Sequence, residues 1–171
     1  MELYFIRHVQ TAVAAGTCYG QLDVPLMEGY EAVHDQIVAG LPRTDIIYTS
    51  PLQRCQLLAA RLSENYIVDA RLKELNFGEW EGMKWDEIDR TLMDHWGEHY
   101  MLSGPPGGES LLDLVNRLRA FLSELPSYNK IAIITHAGII RAARHLLENK
   151  LLHEIMSEKI TYGGIYTFNL L

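Results

Sequence analysis

The chain has 171 residues, with 22 acidic against 15 basic side chains and a formal charge of -7. That length fits one domain with a real core, and an apolar share of 48% excludes a disordered chain. The acidic balance disfavours nucleic acid and anionic membranes as partners, so any anionic substrate must be held by a local cationic cluster working against the overall field. No apolar run approaches the roughly 20 residues of a membrane-spanning helix. The opening residues carry no basic region followed by a long apolar stretch, which predicts no signal peptide and a cytoplasmic location. The two cysteines, Cys18 and Cys55, form no CxxC pair, against a thiolate zinc site and against a disulfide framework.

In chain order, residues 3–6 form a short apolar run, the pattern of a buried strand, followed at once by Arg7-His8. Residues 28–39 read as a helix. Residues 45–49 (DIIYT) read as a second strand, ending at Thr49-Ser50-Pro51. Ser50 suits an N-cap and Pro51 a first helical position, for a helix running to Leu62 with Arg54 in its first turn. Residues 66–69 are a weaker strand candidate. Residues 94–108 (DHWGEHYMLSGPPGG) form the longest irregular stretch, of the kind that often serves as a binding loop or lid. A stripe of Leu111, Leu114, Val115, Leu118, Leu122 and Leu125 marks a helix over 110–125, opened by a capping-box-like Ser110-x-x-Asp113. Residues 130–135 (KIAIIT) are the strongest strand pattern and lead into Thr135-His136-Ala137-Gly138 and a helix over 138–148. Residues 164–170 supply a last strand. Strands alternating with helices predict a single α/β domain over 1–171, three-layered, with a mostly parallel central sheet.

If the three best strands are parallel, their ends share one edge of the sheet, where open α/β sheets bind ligands. Arg7, His8, Arg54 and His136 then converge. Singly, each has an ordinary reading, Arg7 as a surface ion-pair partner and His8 as a hydrogen-bonded structural histidine. Arg54 is more telling, because a cation near a helix N-terminus opposes the macrodipole unless an anion sits there. Jointly the four point to an oxyanion site. Between Arg71 and Gly82 the three carboxylates Glu74, Glu79 and Glu81 read either as a solvated turn or as the source of a proton donor. Apolar neighbours and the substrate's own charge would raise such a carboxyl toward useful pKa values.

Arg7-His8 after an N-terminal strand, Ser50-Pro51-Leu52-Gln53-Arg54, Leu72-Lys73-Glu74 before Phe77-Gly78, and Thr135-His136-Ala137-Gly138 together resemble the histidine phosphatase, or phosphoglycerate mutase-like, superfamily over the whole chain. Within it, residues 18–26, 72–81 and 107–110 are similar to the alpha-ribazole phosphatase family. The resemblance implies a metal-independent phosphomonoesterase with no cofactor. His8 would attack phosphorus and form a phosphohistidine, while Arg7, Arg54 and His136 cage the phosphoryl oxygens. Glu74 would act as the proton donor, with Glu79 and Glu81 as rivals. Gln10, Thr11, Cys18, Tyr19, Gly20 and the backbone at Gly138 are the expected substrate contacts. The implied reaction is dephosphorylation of alpha-ribazole 5′-phosphate in cobalamin nucleotide-loop assembly. The expected partner is this small phosphorylated substrate, with neither nucleic acid nor membrane, and with a homodimer as an option. Two departures stand out: Val9 where the family has glycine after Arg-His, and Ala14 at the spacing of a common asparagine.

Three rivals remain at this level. One is a mutase-like or broad-specificity phosphatase. Another is a phosphate-binding protein weakened in turnover by Val9 and Ala14. The third is a zinc hydrolase built on His95-Trp96-Gly97-Glu98-His99, a pattern that needs a helix and that Gly97 argues against. Substrate choice is expected from residues 18–24 and 94–108, with Trp80, Trp85, Trp96 or Tyr100 available to stack an aromatic base.

Overall fold

Side-chain alternation along β1 (Glu2–Arg7) sets the two faces of the sheet. Leu3 and Phe5 enter one hydrophobic cluster, and Tyr4 and Ile6 enter another. β4 (Lys130–Thr135) repeats the division, with Ile131 and Ile133 on the first face and Ala132 and Ile134 on the second. Both faces are therefore covered, which is why these strands read as continuous apolar runs. The computed structural model describes residues 1–170.

The sheet has five strands in the order β3-β2-β4-β1-β5, with β2 Ile46–Thr49, β3 Ile67–Val68 and β5 Ile165–Asn169. All pairings are parallel except that of β1 with β5. Helices α1 (Tyr30–Gly40) and α2 (Gln53–Leu62) contribute Ile37, Cys55, Leu58 and Ala59 to one face. Helices α4 (Leu111–Ser123) and α5 (Ala137–Glu148) contribute Leu114, Leu118, Ile139 and Ala143 to the other. The predicted α/β layering is thus observed. Leu111, Leu114, Val115, Leu118 and Leu122 of the predicted stripe are the buried face of α4, which ends at Ser123 and leaves Leu125 half-buried beyond it, and burying each such side chain is worth about 1.5–3 kcal/mol. Its N-terminus carries the expected capping box, in which Ser110 Oγ accepts from the Asp113 N–H at 3.2 Å and Asp113 Oδ2 accepts from the Ser110 N–H at 2.9 Å.

The structure corrects three expectations. Residues 94–108 are not wholly irregular, because Arg90–His99 forms helix α3, with Asp89 accepting from the Leu92 N–H at its start. Gly97 is exposed on that helix, where a glycine costs only about 1 kcal/mol. Met93 and Trp96, on the other face, pack against Cys18, Trp80 and Ile88 and outweigh it. Second, α2 begins at Gln53 rather than at Ser50, which is used elsewhere. Third, a short helix α6 (Leu152–Ser157), unanticipated, precedes the return into β5. No helix among the described residues is long and apolar enough to cross a membrane.

Candidate active site

Parallel register puts the C-terminal ends of β1, β2 and β4 on one edge. Arg7 lies opposite Thr135 and Thr49 opposite Ile134. The His8 N–H donates to Thr135 O at 3.0 Å, and the Ser50 N–H donates to Ile134 O at 2.9 Å. His8 and His136, one residue past their strands, therefore meet with ring centroids 5.1 Å apart. His8 Nδ1 lies 2.7 Å from Val9 O. A carbonyl only accepts, so Nδ1 carries the proton and Nε2 keeps its lone pair. His136 Nε2 pairs with Ser50 Oγ at 2.8 Å. The same hydroxyl also accepts from the Leu52 N–H at 3.3 Å, so Ser50 closes the turn ahead of α2 while it holds His136.

The electrostatics divide the four grouped residues into two charged and two neutral ones. His8 is 1% exposed, and its pKa is pushed down to about 3, first by burial and then by Arg54, with the Val9 hydrogen bond opposing and Arg7 adding to the fall. His136, fully buried, is held well below its ordinary value by burial, then by His8, Arg54, Arg117 and Arg7. Both imidazoles are neutral near pH 7, and the charge resides on the guanidiniums. Arg54 has no exposed surface. It donates from Nη1 to Leu22 O at 2.6 Å and from Nη2 to Gly20 O. Arg7 donates from Nη1 to Ile160 O, and its guanidinium lies 3.7 Å from the Tyr162 ring centroid. Among the described residues neither arginine has a carboxylate partner. Arg7 Nε, Arg54 Nε and His136 Nδ1 are buried without a hydrogen-bond partner.

Glu74 approaches the start of α5, where the Gly138 N–H donates to its Oε1 and Oε2 at 3.1 and 3.2 Å. A Cβ at residue 138 would overlap that carboxylate, so glycine is what lets the acid sit against the helix end. The Gly138 N–H is thus spent on Glu74, not on the substrate contact expected from sequence. Beyond Glu74 lies a small cavity of about 80 Å³ shared with Leu75, Phe77, Leu111, Arg141 and Met156. Of the rival carboxylates, Glu81 Oε1 accepts from the Gln21 and Phe77 N–H groups at 2.9 and 3.0 Å and ties two loops together. Glu79 is exposed.

Gln10, Thr11, Tyr19 and Ala14 line a cleft of about 350 Å³ together with Trp85 and Tyr162. Gly20 enters the site through its carbonyl on Arg54. Cys18, expected as a substrate contact, is corrected: its side chain is buried against Trp80 and Ile88, and burial followed by the charge of Glu81 pushes its thiol up to about 12. Trp80 is core, and Trp96 packs against it at 5.6 Å, so of the tryptophans only Trp85 borders the cleft. Val9 needs no glycine. Asn149 is the only non-glycine with positive φ among the described residues. The Val9 side chain is 2% exposed and packs in the cluster holding Ile6 and Ile37.

The helix needed by the zinc pattern does form in α3, and the His95 and His99 rings stack at 4.5 Å. No third ligand joins them: no group of three or more His, Cys, Asp or Glu able to hold a metal occurs among the described residues.

Three contributors escaped the sequence reading. Ser50 holds His136. Arg117 of α4 donates from Nη2 to Glu74 O at 2.9 Å while paired with Glu109 at 2.7 Å, fixing the backbone that carries the acid. Tyr162 covers Arg7. A basic residue bordering the Leu stripe of α4 was the available signal for Arg117. Tyr162 had only the following Gly163-Gly164 to mark it.

The chain belongs to the histidine phosphatase superfamily, branch 1, whose family model matches residues 3–170. It is a phosphatase of that superfamily, an enzyme of phosphate monoesters. It is similar to glucosyl-3-phosphoglycerate phosphatase of Mycobacterium tuberculosis, 31% identical over 162 residues that span 82% of this chain and 72% of that one. The structure of the mycobacterial enzyme matches with a TM-score of 0.85 at 26% identity, over 97% of this chain and 88% of the other. Phosphoserine phosphatase 1 of Hydrogenobacter thermophilus is 29% identical over 155 residues, 83% of this chain and 74% of that one. The alpha-ribazole phosphatase of Shigella flexneri matches with a TM-score of 0.89 over 100% of this chain and 91% of its own, a likeness of fold at 22% identity.

Proposed function

We propose that this phosphatase works through a phosphohistidine at His8, with Glu74 as proton donor and alpha-ribazole 5′-phosphate as substrate. One observation carries the mechanism: a neutral His8, its Nδ1 spent on Val9 O, packs on His136 within the fields of Arg54 and Arg7, and each of those three neighbours keeps a buried nitrogen without a partner. Unpaired buried polar groups are costly, and phosphoryl oxygens would satisfy all three together. Phosphoryl transfer is mainly positioning and charge stabilisation, which these groups supply. His8 Nε2 donates its lone pair to phosphorus as the ester P–O bond breaks, and the leaving oxygen takes the Glu74 proton. Water then attacks phosphorus and returns a proton to Glu74. The P–N bond breaks and phosphate is released.

The substrate reading rests on the cleft walled by Tyr19, Trp85 and Tyr162, which suits a flat ring attached near a phosphate. Its test compares kcat/KM for phosphate release from alpha-ribazole 5′-phosphate, 3-phosphoglycerate and p-nitrophenyl phosphate in EDTA, with His8→Ala as control. The expected result is a large preference for the ribazole ester, abolished in the variant. Equal slow turnover of all three would overturn the substrate and leave the chemistry. Turnover by His8→Ala would overturn the chemistry.

A further inference from the structure

Resting on that reading, we propose that Tyr162 and Tyr19 form a cover over His8, and that Tyr162 is a specificity-determining residue. The pair must part before an ester reaches the nucleophile, and the Tyr162 ring then stacks on the ester's leaving group.

The hydroxyls of Tyr19 and Tyr162 meet at 3.2 Å, although their positions in the chain are 143 residues apart. The Tyr162 ring centroid is 5.7 Å from that of His8 and 3.7 Å from the Arg7 guanidinium. The Tyr19 ring lies 5.2 Å from the Arg54 guanidinium. Each arginine of the site thus has a tyrosine ring as neighbour, and the two rings are joined at their tips. Both tyrosines border the 350 Å³ cleft, whereas His8 does not border it and is 1% exposed. In-line attack needs the phosphorus about 3–3.5 Å from His8 Nε2, and with the pair closed His8 is 1% exposed and has the Tyr162 ring packed 5.7 Å from its own.

The moving part is the Tyr162 side chain. The backbone around it is anchored: the Gly163 N–H donates to Arg7 O at 3.1 Å, and the Thr161 N–H donates to Tyr166 Oη at 2.8 Å. Gly163, at φ +68, makes the left-handed turn that aims the tyrosine back over Arg7. Tyr162 is 41% exposed, so its ring has solvent to swing into. Opening exchanges the cation–π contact of Arg7 for a phosphate oxygen and frees the ring's face. A flat leaving group restores stacking to that ring, and a small aliphatic one does not.

Accessibility of His8 to diethyl pyrocarbonate, read by peptide mass spectrometry, tests the cover directly, because the neutral imidazole is the reactive form. The exposed His95, His99 and His153 serve as internal references. Breaking the hydroxyl pair, worth about 0.5–1.5 kcal/mol, should raise His8 modification in Tyr162→Phe about 2- to 12-fold, and Tyr162→Ala should raise it at least as far. Inorganic phosphate should protect His8 in every form. Tyr162→Ala should also lower the ratio of kcat/KM for p-nitrophenyl phosphate over glycerol phosphate. Unchanged His8 modification in both variants overturns the cover. An unchanged ratio in Tyr162→Ala overturns the specificity role. Modification that rises as expected while His8→Ala keeps full turnover overturns the catalytic reading on which the specificity role depends, and leaves the cover standing as geometry alone. Thermal melts of the variants keep a folding defect distinct from each of these results.

Discussion

His8 and His136 face each other at 5.1 Å between ring centroids, and neither carries a charge near neutral pH. Two imidazoles packed so closely between guanidiniums could not both be protonated without strong repulsion. Their neutrality leaves the lone pair of His8 Nε2 free, so the attack on phosphorus proposed for it would need no base.

The same neutrality makes the fold acid-sensitive. His8 has its pKa depressed from 6.5 to about 3, so between those values the unfolded chain binds a proton that the folded chain does not. Stability therefore rises with pH across that window, is fully present above about 6.5 and is lost as pH falls toward 3. His136 acts in the same direction. Thermal unfolding from pH 7 to pH 4 should show a steep fall in Tm. His8→Gln should flatten the dependence by up to about 1.4 kcal/mol per pH unit. Parallel curves for the two proteins would contradict the depressed pKa.

Glu74→Gln keeps the shape of the acid and removes its proton. Turnover of alkyl phosphates should fall about 10²–10⁴-fold, with a smaller loss for p-nitrophenyl phosphate, whose leaving group needs no proton. The comparison is made on kcat/KM, which reports the ester-cleaving step and not the later hydrolysis common to both esters, and equal losses in kcat/KM would remove Glu74 from the protonation of the leaving group.

Restoring the family's residue at position 9 should do harm. Val9→Gly empties a packed site and adds chain entropy, for an expected destabilisation of about 2–4 kcal/mol, with no gain in kcat/KM. Urea unfolding measures the first and phosphate release the second. A faster enzyme would mean that the backbone at residue 9 is restrained by valine after all.

The histidine pair on α3 should be dispensable. His95→Ala with His99→Ala is expected to leave phosphate release within about twofold, since exposed surface substitutions rarely matter. Chelation by EDTA should not slow the wild type. A large loss in either experiment would bring the metal reading back.

Much of this was legible in the chain. β1, β2 and β4 are short apolar runs buried on both faces, so pattern and outcome coincide. The strand ends of a parallel sheet must share an edge, which let Arg7, His8 and His136 be grouped without coordinates. The capping box of Ser110 is local chemistry and was readable as such. What was missed depends on partners distant in sequence. Ser50 is 86 residues from the ring it holds, and its local alternative as an N-cap was equally good chemistry. Helix α3 was hidden by Gly97, whose small penalty is outweighed by packing of Met93 and Trp96 on residues far away in the chain. Cys18 shared a motif with Tyr19 and Gly20, yet its side chain points to Trp80 rather than to the arginines.

Arg54 is held by two backbone carbonyls, in full burial and without a counter-ion among the described residues. An acidic protein of formal charge -7 thus keeps a bare positive charge in its interior. On the proposed reading, the missing negative partner is the phosphoryl group of the substrate. An oxyanion arriving there completes an ion pair that folding left half-made, and part of the molecule's stability is thereby lent to its ligand. Occupancy and rigidity should rise together, so that inorganic phosphate acts on this protein as a folding agent as much as an inhibitor.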